Sequence, residues 1–199
     1  MSTASSTPHV DSVAGGTERD DMRTTLLTAA LTVLQRDGAA SLTLRNITAE
    51  AGCSTTGVYT YFGGKQGLVE AIYIDGFESF EREMSVHYAA DDLMESGRAY
   101  RRWALCNPTH YMVMFGSAVP DYVPSEAALE RAGQAFAGLV AAVERSGAAD
   151  PVASAYHLFA TVHGYVMLEL VGMAPLDRAE LEQQYELGLT QCVAIGGDA

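Results

Sequence analysis

The side chains whose types and spacing are best suited to chemistry lie in one short segment. Thr55, Thr56, Tyr59 and Tyr61 supply hydroxyl and phenol groups, and Lys65, the only lysine in the chain, follows them closely. Hydroxyl and phenol groups can reach base edges, thymine methyl groups and phosphate oxygens in the major groove of DNA. A lysine at the beginning of a helix adds its charge to the free amide groups there and can bind a phosphate. The segment is therefore suited to recognising DNA by non-covalent contacts.

Two short helices and a tight turn must position this segment. The pattern of apolar residues predicts helices over 44–51 and 55–62. Gly52 between them tolerates a left-handed backbone, and Ser54 is expected to cap the second helix by accepting hydrogen bonds from amides of its first turn. Together these features predict a helix-turn-helix.

The second of these helices has an inner and an outer face. Val58 and Phe62 are four residues apart and must pack inward, which turns the hydroxyl groups towards the exterior and the flanks. The outer face is neutral, aromatic and rich in hydroxyl groups, which is unusual for a surface that only contacts water. Arg45, early in the preceding helix, is placed to contact the DNA backbone, whereas Thr43 is first of all a helix cap. The alternative is that the two tyrosines merely cover the edge of the domain.

This stretch resembles the DNA-binding domain of the TetR family of bacterial regulators. The shared landmarks are a threonine-capped helix, an Ala-Gly-x-Ser turn over 51–54, a Gly-x-Tyr-x-x-Phe helix over 57–62, and a following lysine and Leu68. Cys53 stands where the family has an aliphatic residue, and a small buried thiol can fill that role. The resemblance implies that seven side chains face DNA: Thr43, Arg45, Thr55, Thr56, Tyr59, Tyr61 and Lys65.

A second resemblance lies in the C-terminal half of the chain. Residues 107–115 read Asn-Pro-Thr-His-Tyr-Met-Val-Met-Phe and resemble the Asn-Pro-x-x-Tyr-x-x-Met-Phe segment of one TetR C-terminal subfamily, the WHG type. A late helix keeps the His163–Gly164 pair of that subfamily but lacks its tryptophan. The resemblance implies that the C-terminal helices bind a small effector and form a homodimer.

Helical periodicity extends over nearly the whole chain, and no strand or internal repeat is expected. Further helices are predicted over 17–37, from 65 onward, over 92–106, from 107 onward, and over 125–145, 150–171 and 177–195. The predicted fold class is all-α, with an N-terminal three-helix helix-turn-helix domain and a C-terminal helical bundle. The expected organisation is a disordered leader over 1–18, a DNA-binding domain over 19–66, and an effector-binding and dimerisation domain over 67–199.

The central helices contain many aromatic and methionine side chains that could surround a small effector. Such side chains line adaptable, mostly apolar pockets, in which one histidine or tyrosine can fix the orientation of the ligand. For any single residue, ordinary core packing is the simpler interpretation. The candidate ligand-binding residues are Tyr100, Trp103, Tyr111, Met112, Phe115, Phe136, His163 and Met167.

The last two predicted helices are the expected homodimer interface, because each has an apolar stripe too broad for one partner helix. Gly164 would let a second helix approach closely. The interface candidates are Leu158, Val162, Met167, Leu181, Tyr185, Leu189 and Val193.

The charge of the chain limits how it can bind DNA. The 199 residues include 12 basic and 25 acidic side chains, a net charge of −13, which argues against binding through bulk charge. Residues 19–66, however, hold five basic and four acidic side chains, a balance of +1. We therefore expect DNA binding by a few placed contacts, with a modest dependence on salt.

Other classes of protein fit the sequence less well. There is no Gly-x-Ser-x-Gly elbow, phosphate-binding glycine loop or HExxH motif, so an enzyme is not expected, and neither is a metal or a cofactor. Cys53, Cys106 and Cys192 are isolated, which is typical of reduced, cytoplasmic thiols. No run of about 18 apolar residues indicates a membrane span.

These observations lead to one functional hypothesis with open alternatives. The chain is expected to be a bacterial, homodimeric regulator of transcription, a repressor that a small apolar or amphipathic effector releases from a palindromic DNA operator. One alternative is an activator or a co-repressed regulator, whose binding to DNA the ligand strengthens. Another is an all-α small-molecule-binding protein with a vestigial helix-turn-helix, and an enzyme is the third.

Overall fold

The all-α fold class is confirmed. The computed structural model describes residues 14–116 and 118–197, and within those ranges it contains nine α-helices, one short 3-10 turn and no strand. In chain order the elements are α1 Ala14–Asp37, the 3-10 turn Ala39–Ser41, α2 Leu44–Ala51, α3 Thr55–Phe62, α4 Lys65–Ala89, α5 Leu93–Cys106, α6 Pro108–Phe115, α7 Glu126–Arg145, α8 Pro151–Leu170 and α9 Arg178–Gly197.

Helix ends agree with the capping residues that the sequence supplies. At the start of α9, Asp177 accepts a hydrogen bond from the Glu180 amide at 3.0 Å, and the Glu180 carboxylate accepts one from the Asp177 amide at 2.8 Å, a complete capping box. Asn107, expected to cap α6, instead donates its side-chain amide to the Trp103 carbonyl at 2.8 Å and closes α5. Asn107 is the single residue between α5 and α6, and its side-chain amide satisfies a free carbonyl group at the end of α5.

The predicted leader over 1–18 mostly lies outside the described residues. Helix α1 begins at Ala14, earlier than the predicted start at Thr17, so residues 14–18 are helical and not irregular.

The contacts divide the chain into two compact units, one ending at Leu68 and one beginning at Val69. In the first unit α1 packs on α2 and α3. Its core consists of side chains with no exposed surface: Leu26, Ala30, Val33, Leu42, Ile47 and Val58.

In the second unit, α5, α7 and α9 each pack against α8, and α5 also packs against α9. Two glycines allow the closest approaches. A Cβ at Gly97 on α5 would lie 2.4 Å from Leu189 on α9, and a Cβ at Gly188 on α9 would lie 2.4 Å from Tyr165 on α8. Arg101 and Glu169 form a two-bond ion pair between α5 and α8, with both hydrogen bonds at 2.9 Å and both side chains mostly buried.

Candidate nucleic-acid interface and cavity

The turn between α2 and α3 has the geometry expected of a helix-turn-helix. Gly52 ends α2 in the left-handed region at φ 66°, and Val58 on α3 is fully buried. Ser54 occupies the cap position of α3 with an extended backbone, but its side chain accepts no capping hydrogen bond. The Gly57 amide that such a cap would bind instead donates to the Ser54 carbonyl at 3.1 Å.

The outer face of α3 carries the candidate DNA contacts that the structure leaves accessible. Thr55, Thr56 and Tyr59 are exposed, and Tyr59 keeps 60% of its surface open to solvent. The Tyr59 ring lies against the backbone of Gly64, because a Cβ at Gly64 would be 3.5 Å from Cε1 of the ring. A large exposed ring that rests on backbone presents a defined surface to a partner.

Tyr61 is half-buried, which is compatible with its expected place on the exterior or flank of α3, and its contact with DNA stays a prediction. Its position, three residues after the buried Val58, brings it towards the core side of the helix. Phe62 is also half-buried, and the Arg23 guanidinium on α1 lies 5.3 Å from the centre of its ring.

The remaining candidates lie at the ends of neighbouring helices. The Thr43 hydroxyl accepts the Asn46 amide at 3.2 Å as the cap of α2, and its proton can still be donated to a phosphate. Arg45 is exposed in the first turn of α2, and Lys65, the first residue of α4, is half-buried. Arg36, by contrast, binds Asp37 and Glu50 at 2.9 Å each and is already neutralised.

The second unit contains a cavity of about 340 Å³ among α4, α5, α6, α7 and α8. Three of the eight candidate ligand residues line it: Tyr100, Phe115 and Phe136. None of the eight candidates lies on α4, and the two on α8, His163 and Met167, are not among the side chains that form the wall. The lining residues not predicted include Phe77, Phe80, Met84, Tyr88, Tyr156 and Phe159.

Two other candidates, Tyr111 and His163, lie behind the cavity wall in a hydrogen-bonded cluster. The hydroxyls of Tyr100 and Tyr111 are 2.8 Å apart, and the Tyr111 hydroxyl is 2.7 Å from Nδ1 of His163. Tyr111 is fully buried, and burial raises the pKa of its phenol. These residues fix the Tyr100 ring in place and are not among those that line the cavity.

Trp103, Met112 and Met167 are not among the lining residues either. Trp103 is buried behind the wall, with its ring 5.2 Å from that of Phe80 and its indole nitrogen 3.3 Å from the Ser79 hydroxyl. Met112 and Met167 are half-buried. All eight ligand-binding assignments therefore stay predictions, with three of them supported by position.

The buried cluster predicts how stability depends on pH. Burial lowers the pKa of His163, so the unfolded chain takes up this proton first as the pH falls below about 6.5. The contribution of neutral His163 to the free energy of unfolding is complete above that value. It is lost as the pH falls through the lower pKa that His163 has in the folded protein. We expect the denaturant midpoint of His163→Gln to change less between pH 7.5 and 5.5 than that of the wild type. His157 is an exposed histidine on the same helix, and His157→Gln should leave the dependence of the midpoint on pH as it is in the wild type. Equal slopes in all three proteins would contradict the assignment.

Four of the seven interface candidates prove to belong to the core of the unit. Leu158, Val162, Tyr185 and Leu189 are each at most 6% exposed and pack within the chain. The prediction that they form the dimer interface is therefore wrong. A Cβ at Gly164 would have no neighbour within 4 Å, so the close helix approach expected there does not occur within the unit. An apolar stripe does not reveal whether its partner is in the same chain.

Two negative findings apply to the described part of the chain. Between residues 14 and 197, leaving out residue 117, no helix is long and apolar enough to cross a membrane. In the same ranges no group of three or more acidic, histidine and cysteine side chains is placed to hold a metal ion.

Comparisons with known proteins support the division into two parts. Residues 26–72 match the family model of bacterial regulatory proteins of the tetR family, and residues 93–191 match that of the tetracyclin repressor-like C-terminal domain. The HTH-type transcriptional regulators Rv1816 of Mycobacterium tuberculosis and Mb1846 of Mycobacterium bovis are each 32% identical over 92 residues. These matches cover 43% of this chain and 39% of each relative.

Solved structures show the same fold. The protein SCO4313 is 24% identical, with a TM-score of 0.79 over 94% of this chain and all of the other. The multidrug binding protein EbrR, solved with imidazole, is 23% identical, with a TM-score of 0.61 over 85% of this chain and 93% of the other.

The family models and the regulators that match by sequence identify the chain as a transcriptional regulator and not an enzyme. The chain belongs to the TetR family of bacterial regulatory proteins. Its assignment to the WHG-type subfamily stays a prediction.

Proposed function

We propose that this chain is a homodimeric repressor that binds a palindromic operator through α3 and is released when a small apolar or amphipathic effector occupies the cavity. The observation that carries the proposal is the exposed face of α3 on a fully buried Val58. A helix held this firmly from beneath can present the same side chains to each major groove it enters.

The chemistry of that face supports DNA as the partner. Thr55 and Thr56 offer small hydroxyls, and Tyr59 offers a phenol and a ring surface, which suit base edges and the thymine methyl group. Lys65 and Arg45 supply positive charge at helix beginnings, where backbone amides also favour a phosphate. So few cations predict a modest loss of affinity as salt increases.

The cavity supports a small effector as the second partner. Its volume, about 340 Å³, falls at the lower end of the range of about 300–1,000 Å³ that is typical of ligand pockets. EbrR, which shares the fold, is described as a multidrug binding protein. Effector binding would favour one set of conformations over another. DNA affinity would change only to the extent that the effector binds the two sets with different affinities.

Exposed apolar side chains on the last two helices support the homodimer. Leu168 on α8 and Leu187 on α9 keep 47% and 51% of their surfaces open. Val171, directly after α8, is also exposed, and the uncovered Gly164 leaves room for a helix from a second copy. Gly164, Leu168 and Val171 are spaced four and three residues apart, so they share one side of α8, and an exposed apolar side of a helix favours an interface.

The homodimer predicts a clear response to two substitutions. We expect the double variant Leu168→Glu, Leu187→Glu to be monomeric in sedimentation velocity, because two carboxylates would lose water at the interface of each subunit. Leu129→Glu, which changes an equally exposed leucine on α7, should remain dimeric. A monomeric wild type, or a double variant that stays dimeric, contradicts this interface.

A retardation assay tests the repressor proposal as a whole. Wild-type protein should shift DNA from upstream of its own coding sequence or a fragment selected from its source genome, and an effector should abolish the shift. Failure to shift any fragment contradicts a DNA-binding regulator and favours a small-molecule-binding protein. An effector that strengthens the shift contradicts release by the effector and favours a ligand-dependent activator or a co-repressed regulator.

A further inference from the structure

The walls of the cavity contain no ionised group. All sixteen residues that line it are apolar or carry a hydroxyl, and neither a carboxylate nor a cationic side chain is among them. The hydroxyls belong to Tyr88, Ser96, Tyr100 and Tyr156. A charged ligand group in such a site would lose its water without gaining an opposite charge.

Two charged side chains near the cavity, Glu81 and Arg145, are already paired elsewhere. Glu81 and Arg145 line a neighbouring depression between α4 and α7, which shares Tyr88 with the cavity. The Arg131 guanidinium donates to Glu81, and that of Arg145 donates to Asp91 at 2.6 Å. Recruiting either residue for a ligand would first require breaking an existing ion pair.

The histidine behind the wall adds no positive charge, because burial favours its neutral form. His163 stacks on Phe159, a lining residue, with ring centres 5.4 Å apart. Its Nδ1 is 2.7 Å from the Tyr111 hydroxyl, and burial lowers the pKa of the imidazole. No positive charge therefore acts on the ligand from this side.

The shape of the wall favours flat rings. Phe80 and Tyr100 meet edge to face at 5.5 Å, as do Phe136 and Phe159 at 6.2 Å. These rings can present both faces and edges to an aromatic ligand. An engineered cavity of about 150 Å³ holds one benzene molecule, so about 340 Å³ holds roughly two rings.

We propose that the cavity selects an uncharged, largely aromatic ligand of about two rings and rejects organic cations and anions of the same shape. The hydroxyl groups of the wall allow the ligand one or two hydrogen bonds. Ser96, for instance, donates to the Asp92 carbonyl at 2.7 Å, which leaves its oxygen as an acceptor. This inference rests on the proposed role of the cavity as the effector site.

Three probes of one shape test the proposal by titration calorimetry on the full chain at pH 7.5. These are 2-naphthol, which is neutral, 2-naphthoate, an anion, and 2-naphthylmethylammonium, a cation. We expect 2-naphthol to bind about 100-fold more tightly than either ion, because each ion would be buried unpaired. An ion that binds within tenfold of 2-naphthol, or more tightly, overturns the proposal. So does the failure of 2-naphthol to bind below about 1 mM.

A matched pair of variants on α7 locates the binding. Ala135 lines the cavity, whereas Ala137 is exposed on the same helix. Ala135→Leu should lower the affinity for 2-naphthol at least tenfold, because the larger side chain fills part of the cavity. Ala137→Leu should leave that affinity unchanged. Equal affinities for both variants place the binding elsewhere and overturn the proposal. Trp103, the sole tryptophan, lies 5.2 Å from Phe80 in the wall, so quenching of its emission by 2-naphthol in the wild type provides a readout without any substitution.

DNA affinity measured in the same samples separates this proposal from the proposed function. Selective binding of 2-naphthol with unchanged DNA affinity at saturation contradicts the effector role and leaves the ligand class intact. Release of DNA by the naphthyl cation or anion, bound in the cavity as tightly as 2-naphthol, supports the effector role and overturns the ligand class.

Discussion

Tyr59→Ala is expected to lower the affinity for operator DNA about 100-fold while leaving the fold intact. The Tyr59 side chain is 60% exposed, so its removal creates no cavity in the core. A good contact to a base or phosphate contributes about 1–2 kcal/mol, and a homodimer loses it twice. Since 1.4 kcal/mol corresponds to about tenfold in affinity, the combined loss is about two orders of magnitude. Fluorescence anisotropy with labelled operator DNA measures it.

Leu129 provides the control for this substitution. It is 56% exposed, on α7 in the second unit, and it does not line the cavity. Leu129→Ala removes a side chain of comparable exposure and should leave DNA affinity unchanged. If the two variants bind DNA equally, α3 does not make the contact that we assign to it.

Gly67→Ala is expected to destabilise the first unit by about 2–3 kcal/mol. A Cβ on Gly67, in the first turn of α4, would lie 1.8 Å from the backbone oxygen of Phe62 at the end of α3. Because the obstacle is backbone and not a flexible side chain, α3 and α4 must separate at this point. Denaturant unfolding should show the loss, and DNA affinity should fall with it since Tyr59 and Lys65 flank the junction.

Gly57→Ala is the comparison that separates steric from general effects of losing a glycine. Gly57 is also helical and in the same unit, but a Cβ there would meet Leu26 at an ordinary 3.7 Å. Alanine favours a helix by about 1 kcal/mol over glycine, so Gly57→Ala should be neutral or slightly stabilising. Comparable destabilisation by both substitutions would show that the contact with Phe62 is not the cause.

The sequence was sufficient to predict the helices and the turn, because the signals for both are local. Thr43, Asp177 and Gly52 cap or end helices through contacts within a few residues, and all three do so in the structure. Ser54 and Asn107 show where this reasoning stops. Both occupy cap positions, but the hydrogen bonds they make depend on competing donors and acceptors nearby.

The cavity and the interface depend on how distant helices cross, which local patterns do not specify. Tyr100, Phe115 and Phe136 could be predicted as lining residues because they are bulky and central. Tyr88 could not, since its position on α4 faces the cavity only through the packing of α4 against α7. Leu189 was assigned to the interface for its apolar stripe, yet the small Gly97 on α5 brings that stripe into the core.

The most direct test of α3 as the DNA-reading helix is the salt dependence of DNA affinity for the wild type, Tyr59→Ala and Lys65→Gln. Lys65→Gln should weaken binding and reduce the slope of log affinity against log salt by about 1–2, because each subunit loses about one phosphate contact. Tyr59→Ala should lower affinity about 100-fold with little change in slope. Specific DNA binding by all three proteins, with equal affinities and slopes, would contradict DNA recognition by this face.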